Sequence, residues 1–152
     1  MRILVFSDSH GQPYYMRKVL LAHPEAELVI HLGDGEHDLD TMEFELQGRP
    51  VVKVRGNCDF GSSLNAVEMF EEKGCRLYCT HGYLEHVKYG YEILYENARG
   101  MKADIVLFGH THEQFQTYED GIYLLNPGAA YDGYYAMVDI TEKGIMINLL
   151  KA

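Results

Sequence analysis

The amino-acid sequence predicts an α/β protein in which two mixed β-sheets pack together with helices outside. Three observations carry this expectation. The first half alternates short apolar runs with amphipathic segments, the pattern of parallel strands joined by right-handed crossovers. The second half holds three pairs of strand-like runs around tight turn signals, which are hairpins. The helical segments are too few to cover one large sheet on both faces, so two packed sheets account for the pattern most simply.

Taken in order, ILVF (Ile3 to Phe6), LVIHL (Leu28 to Leu32), VVKV (Val51 to Val54), RLYCT (Arg76 to Thr80) and DIVLF (Asp104 to Phe108) are short and rich in β-branched and aromatic residues. Each reads as a buried strand. The segment PYYMRKVLLAH places Tyr15, Val19 and Ala22 at helical spacing, with Pro13 near the start where its missing N–H costs nothing. HDLDTMEFELQG places Leu39, Met42, Phe44 and Leu46 on an amphipathic helix closed by Gly48. YGYEILYENARGMKA predicts a third helix. The hairpins are AVEMFEEKGCRLYCT, FQTYEDGIYLL and YYAMVDITEKGIMINLL, turning at EKG, EDG and EKG. YDGYY (Tyr131 to Tyr135) reads as a loop entering a strand.

A length of 152 residues fits one domain, 1–152, able to bury a core without disulfide staples. With 47% hydrophobic and 24% charged residues the composition is that of a soluble globular protein. The N-terminal apolar run stops at Ser7, too soon for a signal-peptide core, and no segment has the length of a membrane-spanning helix. Cys58, Cys75 and Cys79 are odd in number and lack zinc-ribbon spacing, which favours a reducing cytoplasm over a disulfide framework. A net charge of −10 argues against extended nucleic-acid binding, so a phosphate-bearing substrate must be met by local positive charge such as a bound metal.

The residues that follow the strands share one chemistry. Ile3 to Phe6 leads to Ser7-Asp8-Ser9-His10, Leu28 to Leu32 to Gly33-Asp34, and Val51 to Val54 to Arg55-Gly56-Asn57-Cys58-Asp59. Arg76 to Thr80 leads to His81-Gly82, and Asp104 to Phe108 to Gly109-His110-Thr111-His112. Ligands of α/β sheets bind at the carboxyl ends of parallel strands, so these loops are expected to converge. Mixed oxygen and imidazole donors suit Mn, Fe, Ni, Co or Zn, and seven candidates are about right for two metals sharing a carboxylate. Each motif alone has a bland reading as a turn; five in one chain do not.

The ordered set D-x-H, GD, GN-x-D, H-G and G-H-x-H resembles the calcineurin-like metallophosphoesterase superfamily, and the compact length resembles its small bacterial and archaeal phosphodiesterase branch. The resemblance implies a four-layer α/β/β/α sandwich. It also implies that Asp8, His10 and His112 bind one divalent metal, that Asn57, His81 and His110 bind a second, and that Asp34 bridges them. Manganese leads the expected ions, with Ni, Zn, Fe, Co and Mg as alternatives. The implied activity is hydrolysis of a small phosphate ester, a diester before a monoester, by a metal-bridging hydroxide attacking phosphorus. The same fold branch includes a retromer subunit that serves mainly as a scaffold, which gives the non-enzymatic alternative. Relatives commonly form homo-oligomers.

Asp34, Asn57, Cys58 and Asp59 are the candidate catalytic residues. Many relatives carry His where Cys58 stands, and a thiol is a poorer proton donor to an alkoxide; a buried small apolar role is the alternative for Cys58. Tyr83 replaces the second His of an H-G-H motif and is expected to alter the site's edge. Asp59 either orients a ligand or caps a turn. Arg55 pairs with substrate phosphate or with an acidic neighbour, the latter preferred. The Asn126 to Ala130 stretch, NPGAA, resembles a loop that closes the family site, or is a tight turn. His31 is expected to be a satisfied core histidine, His23 and His86 surface or loop residues, and His37 near enough to the Gly33-Asp34 loop for substrate contact to be the minority reading.

Overall fold

The computed structural model describes all of residues 1–152. Sheet one is built from β1 (Arg2–Phe6), β2 (Leu28–His31), β3 (Val51–Lys53), β9 (Tyr134–Thr141) and β10 (Gly144–Lys151), in the order β10-β9-β1-β2-β3. Sheet two contains β4 (Val67–Glu72), β5 (Cys75–Thr80), β6 (Ile105–Leu107), β7 (Phe115–Glu119) and β8 (Ile122–Asn126), in the order β4-β5-β6-β8-β7. Each sheet has a parallel centre, β1-β2-β3 or β5-β6-β8, and acquires antiparallel partners from the hairpins. The strands and hairpins thus form as expected from their apolar runs and turn signals.

Period-two alternation decides which face goes where. On β1, Ile3 and Val5 point between the sheets while Leu4 and Phe6 point outward. On β6, Ile105 and Leu107 point between the sheets while Val106 and the following Phe108 point outward. Both faces of each central strand are therefore buried, which is why these runs are continuously apolar rather than alternating with polar residues. The outward face of sheet one is covered by α1 (Tyr14–Ala22) through Met16, Val19 and Leu20, and by the Leu39–Met42 stretch before α2 (Glu43–Leu46). That of sheet two is covered by α3 (Glu92–Met101) through Leu94 and Ala98. The result is the four-layer α/β/β/α sandwich.

The second helix differs from expectation. Only Glu43–Leu46 is helical, and residues 36–41 form turns. The side chain at its start is engaged by the loop after β1 instead: Asp38 accepts from Ser9 Oγ at 2.6 Å and from the Gly11 N–H at 2.9 Å. Leu39 and Met42 are buried, but Phe44 is 77% exposed instead of facing the core. Gln47 takes the left-handed position at the helix end and Gly48 follows it. In α1 the buried stripe is Met16, Val19 and Leu20, displaced by about a residue from the expected Tyr15, Val19 and Ala22. Urea unfolding should separate Met42 and Phe44: Met42→Ala is expected to cost about 2–5 kcal/mol, and Phe44→Ala less than about 0.5 kcal/mol. Equal costs would contradict this placement.

Candidate metal centre

The loops after β1, β2, β3, β5 and β6 meet at one edge of the sandwich. His81 Nδ1, at the end of β5, hydrogen-bonds to Leu32 O at the end of β2, 2.7 Å away and in the other sheet. The His110 N–H, after β6, donates to Asp8 Oδ2, after β1, at 3.0 Å. The ligand atoms of Asp8, His10 and His112 lie within 4.8 Å of one another, and so do those of Asp34, His81 and His110. A third set joins His10, Asp34 and Cys58. Asp34 faces both histidine groups, its Oδ2 lying 3.2 Å from His81 Nε2 and 3.7 Å from His10 Nε2.

Each buried carboxylate uses one oxygen to hold the loops and turns the other inward. Asp8 Oδ2 accepts from Ser7 Oγ at 2.6 Å as well as from His110. Asp8 Oδ1 is buried without a hydrogen-bond partner, with the Nε2 atoms of His112, His10 and His81 at 3.1, 3.4 and 3.9 Å. Asp34 Oδ1 accepts the Cys58 N–H at 2.7 Å. His81 repeats the device: with Nδ1–H committed to Leu32, its buried Nε2 has no hydrogen-bond partner. An inward oxygen and an inward imidazole nitrogen, each buried and unpaired, are the donors a divalent cation needs, with the tautomer already selected. The residues fit a metal.

Without a cation, imidazolium charge compensates the carboxylates. Burial pushes Asp8 up, but the facing His112 and His81 and the Ser7 hydroxyl outweigh it and hold the carboxyl at about 2. Burial likewise opposes the effect of His81 on Asp34, whose pKa is lowered on balance. His81 is raised because Asp34 and Asp8 overcome its burial, and His112 is raised chiefly by Asp8. His110 is lowered by burial and by the positive charges of His81 and Lys88.

The backbone is bent to make this arrangement. Asp8, His10, Asp34, His110 and His112 all have positive φ, between 47° and 73°. Asp and His tolerate that region better than most residues, though still at a cost. Two glycines are needed for close approach: a Cβ on Gly56 would collide with the Asp34 carboxylate, and one on Gly109 with Ser7 Oγ and, at 2.7 Å, with Asp8 Oδ2.

Asp59 is a clamp between two loops. Its carboxylate accepts the N–H groups of Asp34 at 2.8 Å, Gly35 at 2.9 Å, Glu36 at 3.1 Å and Gly56 at 2.8 Å. Asn57 is exposed on the same loop, with Nδ2 3.6 Å from Cys58 Sγ. Cys58 is exposed rather than buried as a small apolar residue, and desolvation with the nearby Asp34 raises its thiol pKa. Tyr83 stands at the edge, its ring 5.5 Å from that of His110. Arg55 has no carboxylate partner; it donates to Leu64 O at 2.7 Å, contrary to the preferred acidic pairing. His31 is the satisfied core histidine expected, bonded to Ser9 Oγ at 2.9 Å and the Gly33 N–H at 3.2 Å, and burial lowers it to about 4. His37 is exposed and pairs with Asp40, and His86 is exposed. His23 is half-buried against Tyr135 Oη at 2.9 Å.

Three further residues support the ligands: Tyr131 and Ser7, without a signal of their own in the sequence, and Asn126, from the NPGAA stretch that the sequence marks. Tyr131 edges the rings of both His10 and His112, with its hydroxyl 3.3 Å from His112 Nδ1. Ser7 orients Asp8. Asn126, buried in the NPGAA turn, donates to Gly109 O and Thr111 Oγ1, both at 3.0 Å, and so fixes the loop that carries His110 and His112.

Residues 1–143 match the profile of the calcineurin-like phosphoesterase superfamily domain. The chain belongs to that superfamily. Members depend on divalent metals, in keeping with the ligand groups assembled here. The chain is 32% identical to the probable metallophosphoesterase YsnB of Bacillus subtilis over 130 residues, covering 85% of this chain and 75% of that one. It is 27% identical over 144 residues to the phosphodiesterase MJ0936 of Methanocaldococcus jannaschii, covering 84% and 83%. Among solved structures, a conserved protein of Streptococcus pneumoniae predicted to be a phosphoesterase superposes with a TM-score of 0.84 at 28% identity, covering 99% of this chain and 88% of that one. Vps29 from Entamoeba histolytica, solved with Zn2+, gives 0.77 at 20% identity with 99% of both chains covered, a likeness of fold.

Two outcomes test this geometry. Because metal must displace protons from His81 and His112, whose pKa values are raised above the ordinary histidine value, Mn2+ affinity should climb as pH rises through and above that value, roughly tenfold per pH unit for each proton displaced. Calorimetry or equilibrium dialysis reads this directly, and a flat profile would contradict the assignment. Asp59→Ala, which frees the two loops without removing a metal donor, should weaken Mn2+ binding by about 10- to 100-fold.

Proposed function

We propose that the chain, residues 1–152 acting as one domain, is a dimetal phosphodiesterase that hydrolyses a small phosphate ester. The observation that carries this reading is the meeting of two ligand groups at Asp34, with a buried carboxylate oxygen and a buried imidazole nitrogen turned toward them unpaired. Asp8, His10 and His112 would hold one ion and Asn57, His81 and His110 the other, with Asp34 between. Two divalent cations, when bound, lower the pKa of a shared water and neutralise charge on the phosphoryl oxygens. Manganese is the proposed ion, with Ni, Zn, Fe, Co or Mg able to use the same donors.

The chain's own contribution is positioning. Ser7 and the His110 amide keep Asp8 Oδ1 aimed inward, Leu32 O keeps His81 in one tautomer, and Asp59 keeps the Asp34 and Asn57 loops in register. Cys58 stands exposed at the rim, where desolvation and the nearby Asp34 raise its thiol pKa. Its S–H is a weak donor, which suits esters with good leaving groups. The preference for a diester draws support from the relative named a phosphodiesterase, and a cytoplasmic setting from three free cysteines. No helix is long and apolar enough to cross a membrane. A Vps29-type protein-binding scaffold is the second reading, supported by fold alone.

The test is hydrolysis of bis-p-nitrophenyl phosphate and p-nitrophenyl phosphate by chelator-stripped protein, with Mn, Ni, Zn or Mg restored. Cleavage of the diester should require metal and exceed that of the monoester. Asp34→Ala and His110→Ala should each lower turnover by at least about 100-fold while keeping the far-ultraviolet circular dichroism of the parent. Metal binding without cleavage of either ester would favour the scaffold.

A further inference from the structure

A cleft of about 600 Å³ opens from the His81 side of the metal centre, between the loop that follows β3 and the loop that follows β5. It shares His81, Asn57 and Cys58 with the centre and continues away from the ligand groups past Arg55, Phe60, Tyr83 and Leu84. The volume is that of a pocket for a drug-sized organic group rather than for phosphate alone.

The walls combine two unusual features. Phe60, Leu84 and Tyr83 are 90%, 60% and 52% exposed, a cluster of large apolar side chains left open to solvent on both sides of one cleft. Single exposed apolar residues need no explanation, but several facing one concavity beside a metal site mark a surface that something covers. Arg55 is the second feature. Arg2, Arg17, Arg76 and Arg99 lie within ion-pair distance of carboxylates, and Arg49 directs its donors at the backbone carbonyls of Leu46, His23, Leu20 and Glu45. Arg55 makes a single side-chain hydrogen bond, to Leu64 O, and leaves the rest of its guanidinium donors free in a chain of net charge −10. The carboxylate that shares the cleft, Asp59, is taken up by four backbone amides.

We propose that this cleft seats one arm of the phosphate ester, and that the arm is a planar aromatic group of nucleoside size bearing a second anionic group. The inference rests on the reading that the metal centre binds a phosphate ester. The ring lies against Phe60, with Tyr83 and Leu84 opposite, an apolar and stacking surface that accepts any flat group. The guanidinium of Arg55 meets the second anion, and its fork geometry suits a phosphate or carboxylate. Phosphate at the metals and anion at Arg55 thus fix both ends of the arm.

Calorimetric binding of thymidine 5′-monophosphate and thymidine 3′,5′-bisphosphate to Mn2+-loaded protein tests this without turnover. The parent should bind the bisphosphate at least about tenfold more tightly than the monophosphate. In Arg55→Ala that gap should close to within about twofold, while Arg55→Lys, which keeps the charge, should retain part of it. Phe60→Ala should weaken both nucleotides by about fivefold or more. Equal affinities in the parent, a gap that persists in Arg55→Ala, or binding of neither nucleotide would overturn the assignment. A protein that shows the expected gap yet cleaves no ester would overturn the hydrolase reading and leave the cleft assignment standing.

Discussion

Everything at the site follows from two carboxylates placed beside one buried imidazole. His81 Nε2 lies 3.2 Å from Asp34 Oδ2 and 3.9 Å from Asp8 Oδ1, and all three residues are almost wholly inaccessible to water. Two anions in so small a volume raise each other's pKa unless positive charge stands between them. Without a metal that charge comes from histidine, which is why His81 and His112 are raised while Asp8 and Asp34 are lowered. The arrangement is a cation site in which protons can hold the place of the cation.

Bringing the carboxylates and histidines together requires the chain to bend hard just after β1, β2 and β6. The positive φ values of Asp8, His10, Asp34, His110 and His112 are the local cost, and strain of this kind persists only where surrounding structure over-determines it. Here the surrounding structure is explicit. Asp59 binds four amides across two loops, Asn126 holds the loop of His110 and His112, and the Ala130 and Tyr131 N–H groups donate back to Ser7 O and Asp8 O. The stable sandwich supplies rigid strand ends, and this network of side-chain and backbone bonds turns them toward one point.

The strands were legible in the sequence because burial on both faces leaves uninterrupted apolar runs, as in Ile3 to Phe6, and the hairpins because glycine marks their turns. The candidate metal donors stood out in the sequence because each lies within a few residues of the end of such a run. What escaped depends on three-dimensional competition. The α2 segment has helical spacing, yet Asp38 is held by Ser9 and Gly11, far from it in sequence. Phe44 then follows the short helix out to solvent, which no periodicity could reveal. Tyr131 reads as one tyrosine among several in YDGYY, and its place beside His10 and His112 comes from the fold bringing residues far apart in sequence together. Arg55 has many acidic residues in the chain to pair with, and only the structure reveals that none is within reach.

That unpaired arginine bears on the charge of the whole molecule. A surface at −10 repels phosphate esters at long range, so affinity must arise inside the cleft, where repulsion from the rest of the surface is screened over about 8–10 Å at physiological salt. Two local sources of positive charge would meet that need, divalent metal held by the histidines and carboxylates and the guanidinium at the far wall. A substrate with one anionic group uses only the first source. One with two, joined by an arm that carries a flat ring, would use both and cover Phe60, Tyr83 and Leu84 as it does so. Selectivity would then lie in the span between the metal centre and Arg55, a distance set by the loop that Asp59 pins in place.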